Sequence, residues 1–179
     1  MSLDPGVFVV QIINLNAEKT GAGMIIRRAL PAEAETCWNI RNQAIRYGCK
    51  ESYSSAVIEA WTPEKMPEQY RQEILNNPFF VAIVKNEQVV ATGYLDLNTR
   101  SVEAIFTLPQ YTGMGFAGMI IDEIKNEARN KGFEKITLSS TPNARRFYEK
   151  HGFTFVQERM HLSVSAKAEL RCIDMLFEL

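Results

Sequence analysis

The chain is short of the residues on which metal, thiol and triad chemistry are usually built. Its 179 residues include two histidines, His151 and His161, and three cysteines, Cys37, Cys49 and Cys172. The cysteines are odd in number, widely separated and form no C-x-x-C pair. That excludes a disulfide framework and an ordinarily spaced zinc site, and points to a reducing, cytoplasmic compartment. Two histidines without ligand-like spacing leave no metal cluster or histidine triad to argue for. Long apolar runs are also missing: none approaches the roughly 20 residues needed to cross a bilayer. Nor is there an excess of either charge. Twenty basic and 21 acidic residues give a net charge of −1, so no global field draws the chain to nucleic acid or to an anionic membrane. Basic–aromatic interleaving, the sequence footprint of a nucleic-acid face, is absent as well.

What remains is the balance of an ordinary globular domain, 46% apolar and 23% charged. Residues 1–23 stand apart. They end in the loose run Glu18-Lys19-Thr20-Gly21-Ala22-Gly23, and their strand-like stretch over 7–15 has no basic lead or small-residue cleavage site. They are expected to be an extension, native or added for expression, ahead of one domain spanning 24–179.

Within that domain, apolar periodicity predicts a strand over 24–28 and a helix over 31–47. A shorter helix follows over 52–61. Thr62-Pro63 looks like the start of another, with Thr as N-cap and Pro in the first turn, running to Asn76. An apolar strand over 79–84 turns at 86–88 into an antiparallel partner over 89–97. A strand over 102–108 ends at Pro109. After a glycine-rich turn, a helix runs to Asn130 and stops at Gly132. The strand over 135–139 should lie parallel to 102–108, because a helix links them. A short helix over 143–151 and two strands over 153–164 and 170–179 complete a mixed α/β order, β-α-α-α-β-β-β-α-β-α-β-β, without internal repeats.

The glycine-rich turn, Gly113-Met114-Gly115-Phe116-Ala117-Gly118, spells G-x-G-x-x-G. Glycines let a backbone bend tightly and expose its N–H groups, and the first amides of a helix lie unpaired at the positive end of its dipole. A turn of this kind opening a helix suits a phosphate. A dinucleotide fold, however, carries its fingerprint in its first βαβ unit and places an acidic residue about 20 positions on, at the end of the next strand. Here the turn follows an antiparallel hairpin. The next strand ends in Ser139-Ser140-Thr141-Pro142, and Glu134 sits at its wrong end. No Lys-Ser/Thr follows the glycines, so a Walker-type loop also fails.

Two segments in order carry a resemblance: the strand followed by Thr112-Gly113-Met114-Gly115-Phe116-Ala117, and Ala144-Arg145-Arg146-Phe147-Tyr148-Glu149-Lys150-His151-Gly152-Phe153. They match the Q/R-x-x-G-x-G/A turn and the A-x-x-F-Y-E-K-x-G-F helix of the GNAT (GCN5-related N-acetyltransferase) superfamily. The chain resembles that superfamily over 24–179, most strongly over 102–153. The resemblance implies a mixed, mostly antiparallel twisted sheet with a central parallel strand pair flanked by helices. It also implies acetyl-CoA as co-substrate without a metal, a small-molecule or peptide amine as acceptor, and allows a homodimer.

The same resemblance assigns the pantetheine arm to the strand residues Phe106, Thr107 and Leu108. It assigns the pyrophosphate to Thr112, Gly113, Met114, Gly115, Phe116, Ala117 and Gly118. Gly118 would serve only as a small first-turn residue. Asn143 and Arg146 become further cofactor-binding candidates. Three positions depart from the family pattern: Thr112 replaces Gln or Arg, Met114 replaces a frequent Lys or Arg, and Thr141 stands where the family has Asn. Contacts through backbone N–H groups survive these changes. Tyr148 matches the family tyrosine and is the candidate general acid for the departing thiolate, the alternative being a packed aromatic. Glu103 stands where related sequences often carry an acid facing the acceptor, and is the candidate general base, directly or through water. The alternative is a solvent-facing strand carboxylate. Simple alternation puts Glu103, Ile105 and Thr107 on one strand face. Trp38, Tyr47, Tyr53 and Trp61 are acceptor-pocket candidates, with core packing the default for tryptophan. In the family, the acceptor pocket comes from a variable helical segment, here 46–61, and from the last hairpin turn, here 164–170. A non-catalytic acyl-CoA-binding module would keep the glycine turn and need neither Glu103 nor Tyr148.

Overall fold

Runs of β-branched and aromatic residues build a seven-stranded sheet in the computed structural model, which describes residues 23–179. The predicted strand over 7–15 lies outside the described residues. The strands are β1 (Ile25–Arg28), β2 (Phe79–Val84), β3 (Gln88–Asp96), β4 (Ser101–Thr107), β5 (Lys135–Ser140), β6 (Thr154–Ser163) and β7 (Ala168–Glu178). Their spatial order is β1-β2-β3-β4-β5-β7-β6. Every neighbouring pair is antiparallel except β4 and β5, which run parallel as the intervening helix requires. The predicted α/β class and the element order both hold.

Five α-helices accompany the sheet: α1 (Ala34–Gly48), α2 (Ser55–Trp61), α3 (Glu68–Asn76), α4 (Phe116–Asn130) and α5 (Arg145–Lys150). They cover opposite faces. On one face, α4 lays Ile120, Ile121 and Ile124, all fully buried, against β3 and β4. On the other face a chain of aromatic rings ties helices to sheet. Trp38 of α1 meets Tyr70 of α3 at 5.1 Å, Tyr70 meets Phe79 at 6.0 Å, and Phe79 stacks on Tyr94 at 5.0 Å.

Thr62-Pro63 is not a helix start. The Thr62 amide and hydroxyl both donate to the Ile58 carbonyl, at 3.1 and 2.8 Å, and so close the end of α2. The α3 helix begins only at Glu68, after Pro67. The chain between is held by its own carbonyl: Trp38 Nε1 and Asn42 Nδ2 each donate to Pro63 O at 2.9 Å. Two prolines and a carbonyl spoken for from outside outweigh the local start signal.

Gly93 of β3 lies directly beneath α4. A Cβ there would sit 2.4 Å from Ile105 Cδ1 and 2.6 Å from Ile120 Cγ2. Gly93→Ala is therefore expected to lower the melting temperature by several degrees, matching the roughly 1–3 kcal/mol of an overpacked core. Calorimetric melting checks it, and an unchanged midpoint would mean that the helix rides more loosely on the sheet than this packing implies.

Candidate active site

The site begins where β4 and β5 separate. They pair at a single register position, Ser101 with Thr137, close to the N-terminal end of both strands. Beyond it the edge of β4 is not claimed by β5. A bulge in β4 helps set this geometry. Ala104 adopts φ 53°, and the β3–β4 register shifts between Thr92 and Tyr94. Thr92 Oγ1 donates to the Ala104 carbonyl at 3.0 Å and pins the bulge.

The bulge corrects the expected alternation. Glu103 pairs with Tyr94 and Phe106 with Thr92, two residues apart on β3, so Glu103 shares a face with Phe106. Ile105 contacts the Gly93 position beneath α4 and belongs to the opposite face, as does Thr107 opposite Ala91. One inserted residue flips every side chain after it. Glu103 and Phe106 thus face away from α4, while Ile105 and Thr107 face it.

The glycine turn closes the other side. Pro109–Tyr111 forms a single 3-10 turn, Gly113 has φ 76°, and Gly115 caps α4 in the left-handed region with φ 90°. The first helical amide bond runs from Met119 N–H to Gly115 O at 3.1 Å. The amides of Phe116, Ala117 and Gly118 precede it at the positive end of a 15-residue helix that no side chain caps. Nothing lies within 4 Å of the position a Gly115 Cβ would take, so the outside of the turn is open. Thr112 lends its hydroxyl inward, to Pro109 O at 2.9 Å, and Met114 is exposed. The donors that the turn presents outward are backbone amides, an arrangement suited to a phosphate group that approaches closely. Gly118 is more than a small residue of convenience: a Cβ there would meet His151 Cε1 at 2.7 Å. Its smallness lets α5 close against α4. A groove of about 500 Å³ runs along this junction, lined by Met114, Gly115, Met119, Phe147 and His151 among others.

Tyr148 stands on α5. It is fully buried, edge-on to Phe147 at 5.0 Å and Phe153 at 5.8 Å. Its hydroxyl is buried without a hydrogen-bond partner among the described residues. Such an orphan group costs free energy unless something else meets it, and a sulfur or thiol could. Burial, reinforced by the charge of Glu103, holds the phenol well above its ordinary range. The Glu103 carboxyl accepts Ser101 Oγ at 2.7 Å, and Ser101 Oγ lies 2.6 Å from Thr99 Oγ1. Part of Glu103 faces a cavity of about 340 Å³, and burial in the surrounding protein pushes it up to about 8. The Ser101 hydrogen bond works against that rise, while Asp96 and Glu73 add to it. Among the described residues no group of His, Cys, Asp and Glu could hold a metal ion, and no helix is long and apolar enough to cross a membrane.

The family model described as "Acetyltransferase (GNAT) domain" matches residues 49–175. The chain belongs to the GNAT acetyltransferase family. An uncharacterized N-acetyltransferase of Escherichia coli (strain K12), YafP, is 23% identical over 135 residues, covering 75% of this chain and 83% of that protein. Solved GNAT structures share the fold. A GCN5-related N-acetyltransferase from Rhodopseudomonas palustris superposes with a TM-score of 0.81 at 20% identity, over 91% of this chain and all of that one. The PaiA N-acetyltransferase of Thermoplasma acidophilum, solved in complex with coenzyme A, gives 0.73 at 18% identity, over 87% of this chain and 99% of that one.

In this GNAT chain the predicted site residues fall in two groups. Phe106, Thr107 and Leu108 are buried on the separating strand, and 112–118 form the turn. Asn143 and Arg146 are exposed at the start of α5. Arg145 is committed elsewhere: it pairs with Glu149 at 2.7 Å and covers the Phe155 ring at 4.6 Å. Trp38 and Trp61 are core residues, Tyr47 is exposed, and the Tyr53 hydroxyl donates to Arg171 O at 2.8 Å. Reasoning from sequence missed the wall opposite Glu103. Ser139, Arg159 and Asp174 line the same cavity from β5, β6 and β7. Their strand alternation was the only available signal, and pairing β7 between β5 and β6 could not be read from chain order.

Proposed function

We propose that the protein transfers an acetyl group from acetyl-CoA directly to a primary amine of a small molecule or peptide. The observation that carries this reading is the fully buried Tyr148 hydroxyl, without a hydrogen-bond partner among the described residues and within electrostatic reach of Glu103. The glycine turn and the amides of 116–118 would hold the pyrophosphate, the strand 106–108 the pantetheine arm, and Asn143 and Arg146 the phosphate-bearing end. The thioester supplies the electrophilic acetyl group. Glu103 takes the proton from the acceptor ammonium, and Tyr148 delivers one to the sulfur. A backbone N–H of the separating strand stabilises the developing oxyanion.

Direct transfer is favoured over an acetyl-cysteine route by the state of the thiols. Cys37, Cys49 and Cys172 are buried, and burial pushes them up to about 12, about 12 and about 11. Each stays a poor nucleophile near neutrality. The test is coenzyme A release from acetyl-CoA with a panel of primary amines, beside calorimetric titration of coenzyme A. Turnover with at least one amine is expected. Tight binding without turnover of any amine would leave an acyl-CoA-binding module instead.

A further inference from the structure

The cavity that contains Glu103 has a second chemical feature on its far wall. Among the described residues Arg159 is the sole cation lining it, and the strands hold that guanidinium by one side. Arg159 Nε donates to Asp174 Oδ2 at 2.7 Å. Asp174 is itself fixed, accepting Ser139 Oγ at 2.7 Å and Gln157 Nε2 at 2.9 Å. The register explains the cluster. Asp174 is opposite Ser139 on β5 and opposite Gln157 on β6, so three strands contribute side chains to one row. On the remaining nitrogens, Nη2 lies 3.3 Å from Ser139 Oγ and Nη1 lies 3.4 Å from His161 Nδ1. A guanidinium carries five N–H groups in a planar fork. Three have these partners among the described residues. The other two, one on each terminal nitrogen, have no partner among the described residues, on a side chain that remains 36% exposed.

An ion pair this well braced, standing partly open in a cavity whose wall also includes Leu138, Val156 and Met175, offers a preorganised group for a planar anion. The charge balance narrows the choice. The lining residues carry one cation, Arg159, against Asp174 and Glu103. A dianion such as a phosphate would find no second positive group. A carboxylate needs one fork, and an ammonium on the same molecule answers Glu103.

We infer that Arg159, held by Asp174 and Ser139, is a specificity-determining residue that binds the carboxylate of the acceptor, so that the acceptor is an amino acid or a similarly small amine bearing a carboxylate. This rests on the acetyl-transfer reading of Glu103, but the two fail differently. A cavity of about 340 Å³ suits a molecule of that size. The amine sits at Glu103 and the carboxylate at Arg159, in a cavity that Thr99, Ser101 and Thr137 also line.

The experiment compares matched trios: amino acids, including β- and γ-amino acids, their carboxamides and their decarboxylated amines. Two readouts are taken on the full chain, kcat/KM for coenzyme A release and ligand binding by saturation-transfer NMR. The wild type is expected to prefer the free carboxylate by about 10–100-fold, the range of a charge-assisted hydrogen bond. Arg159→Lys keeps a charge for Asp174 but loses the fork, and should reduce that ratio about tenfold. Arg159→Met combined with Asp174→Asn removes the charge pair together and should bring the ratio close to one. The ratio is internal to each protein, so the folded fraction cancels. A ratio near one in the wild type, or one unchanged in both variants, overturns the inference even if amines are acetylated. Carboxylate-selective binding that depends on Arg159, without turnover, upholds it while defeating the transfer reading. No selective binding and no turnover defeats both.

Discussion

Tyr148→Phe is expected to cut turnover by about 10²–10⁴-fold, the usual worth of a positioned general acid, while the protein melts at the same temperature or higher. The two halves of this expectation come from one atom. The hydroxyl is fully buried and has no hydrogen-bond partner, so the folded chain bears the cost of desolvating it. Removing such a group while keeping the ring should return part of about 1–3 kcal/mol, a shift of a few degrees upward. The ring's contacts with Phe147 and Phe153 stay in place. Because the phenol is held well above its ordinary range, it remains protonated throughout the neutral region and can act as an acid but not as a resident base. Steady-state coenzyme A release beside calorimetric melting checks both halves. A variant with full activity would reduce Tyr148 to a packed aromatic. A variant that lost activity and stability together would mean that the hydroxyl has a structural partner.

That orphan hydroxyl was partly legible beforehand. The spelling of the α5 segment singled out Tyr148, and the glycine turn pointed to phosphate through the physics of helix ends. Apolar runs and turn residues placed nearly every element, because β2, β3 and β4 are buried almost throughout and β5 alternates. The failures share a cause. Thr62-Pro63 carries a good local start signal, yet Trp38 and Asn42, far away along the chain, claim the Pro63 carbonyl and hold the segment as a loop. Glu103 was assigned a face by simple alternation, yet a bulge at Ala104 reverses the strand beyond it. The Arg159–Asp174–Ser139 row depends on β7 inserting between β5 and β6, a non-local pairing with no marker in chain order. Local chemistry was readable, and contacts between distant segments were not.

Glu103→Gln should act on activity and stability in opposite directions, and pH separates them. The folded carboxyl titrates near 8 against an ordinary 4.5, since burial outweighs the Ser101 hydrogen bond and Asp96 and Glu73 add repulsion. The phenols of Tyr94 and Tyr148 are influenced by its charge, and the Arg159–Asp174 pair lines the same cavity. Between these two values the folded chain holds a proton that the unfolded chain has released. Stability is therefore fully present below the unfolded value and declines as pH rises through the folded one, with a limiting slope of about 1.4 kcal/mol per pH unit. Glutamine cannot ionise, so the variant lacks this slope. It should melt at nearly the wild-type temperature at pH 5 and well above it at pH 9. Activity should move the other way. Wild-type kcat/KM should climb as the carboxylate forms and level off above pH 8, while the variant loses about 10²–10⁴-fold and that limb of the profile. An acceptor amine whose own pKa lies at about 10, as in an alkyl ammonium, stays protonated through most of this range and keeps its ionisation out of the comparison. Parallel wild-type and variant melting curves across pH 5–9 would mean that Glu103 ionises normally, and a retained limb near pH 8 would assign the base to another group.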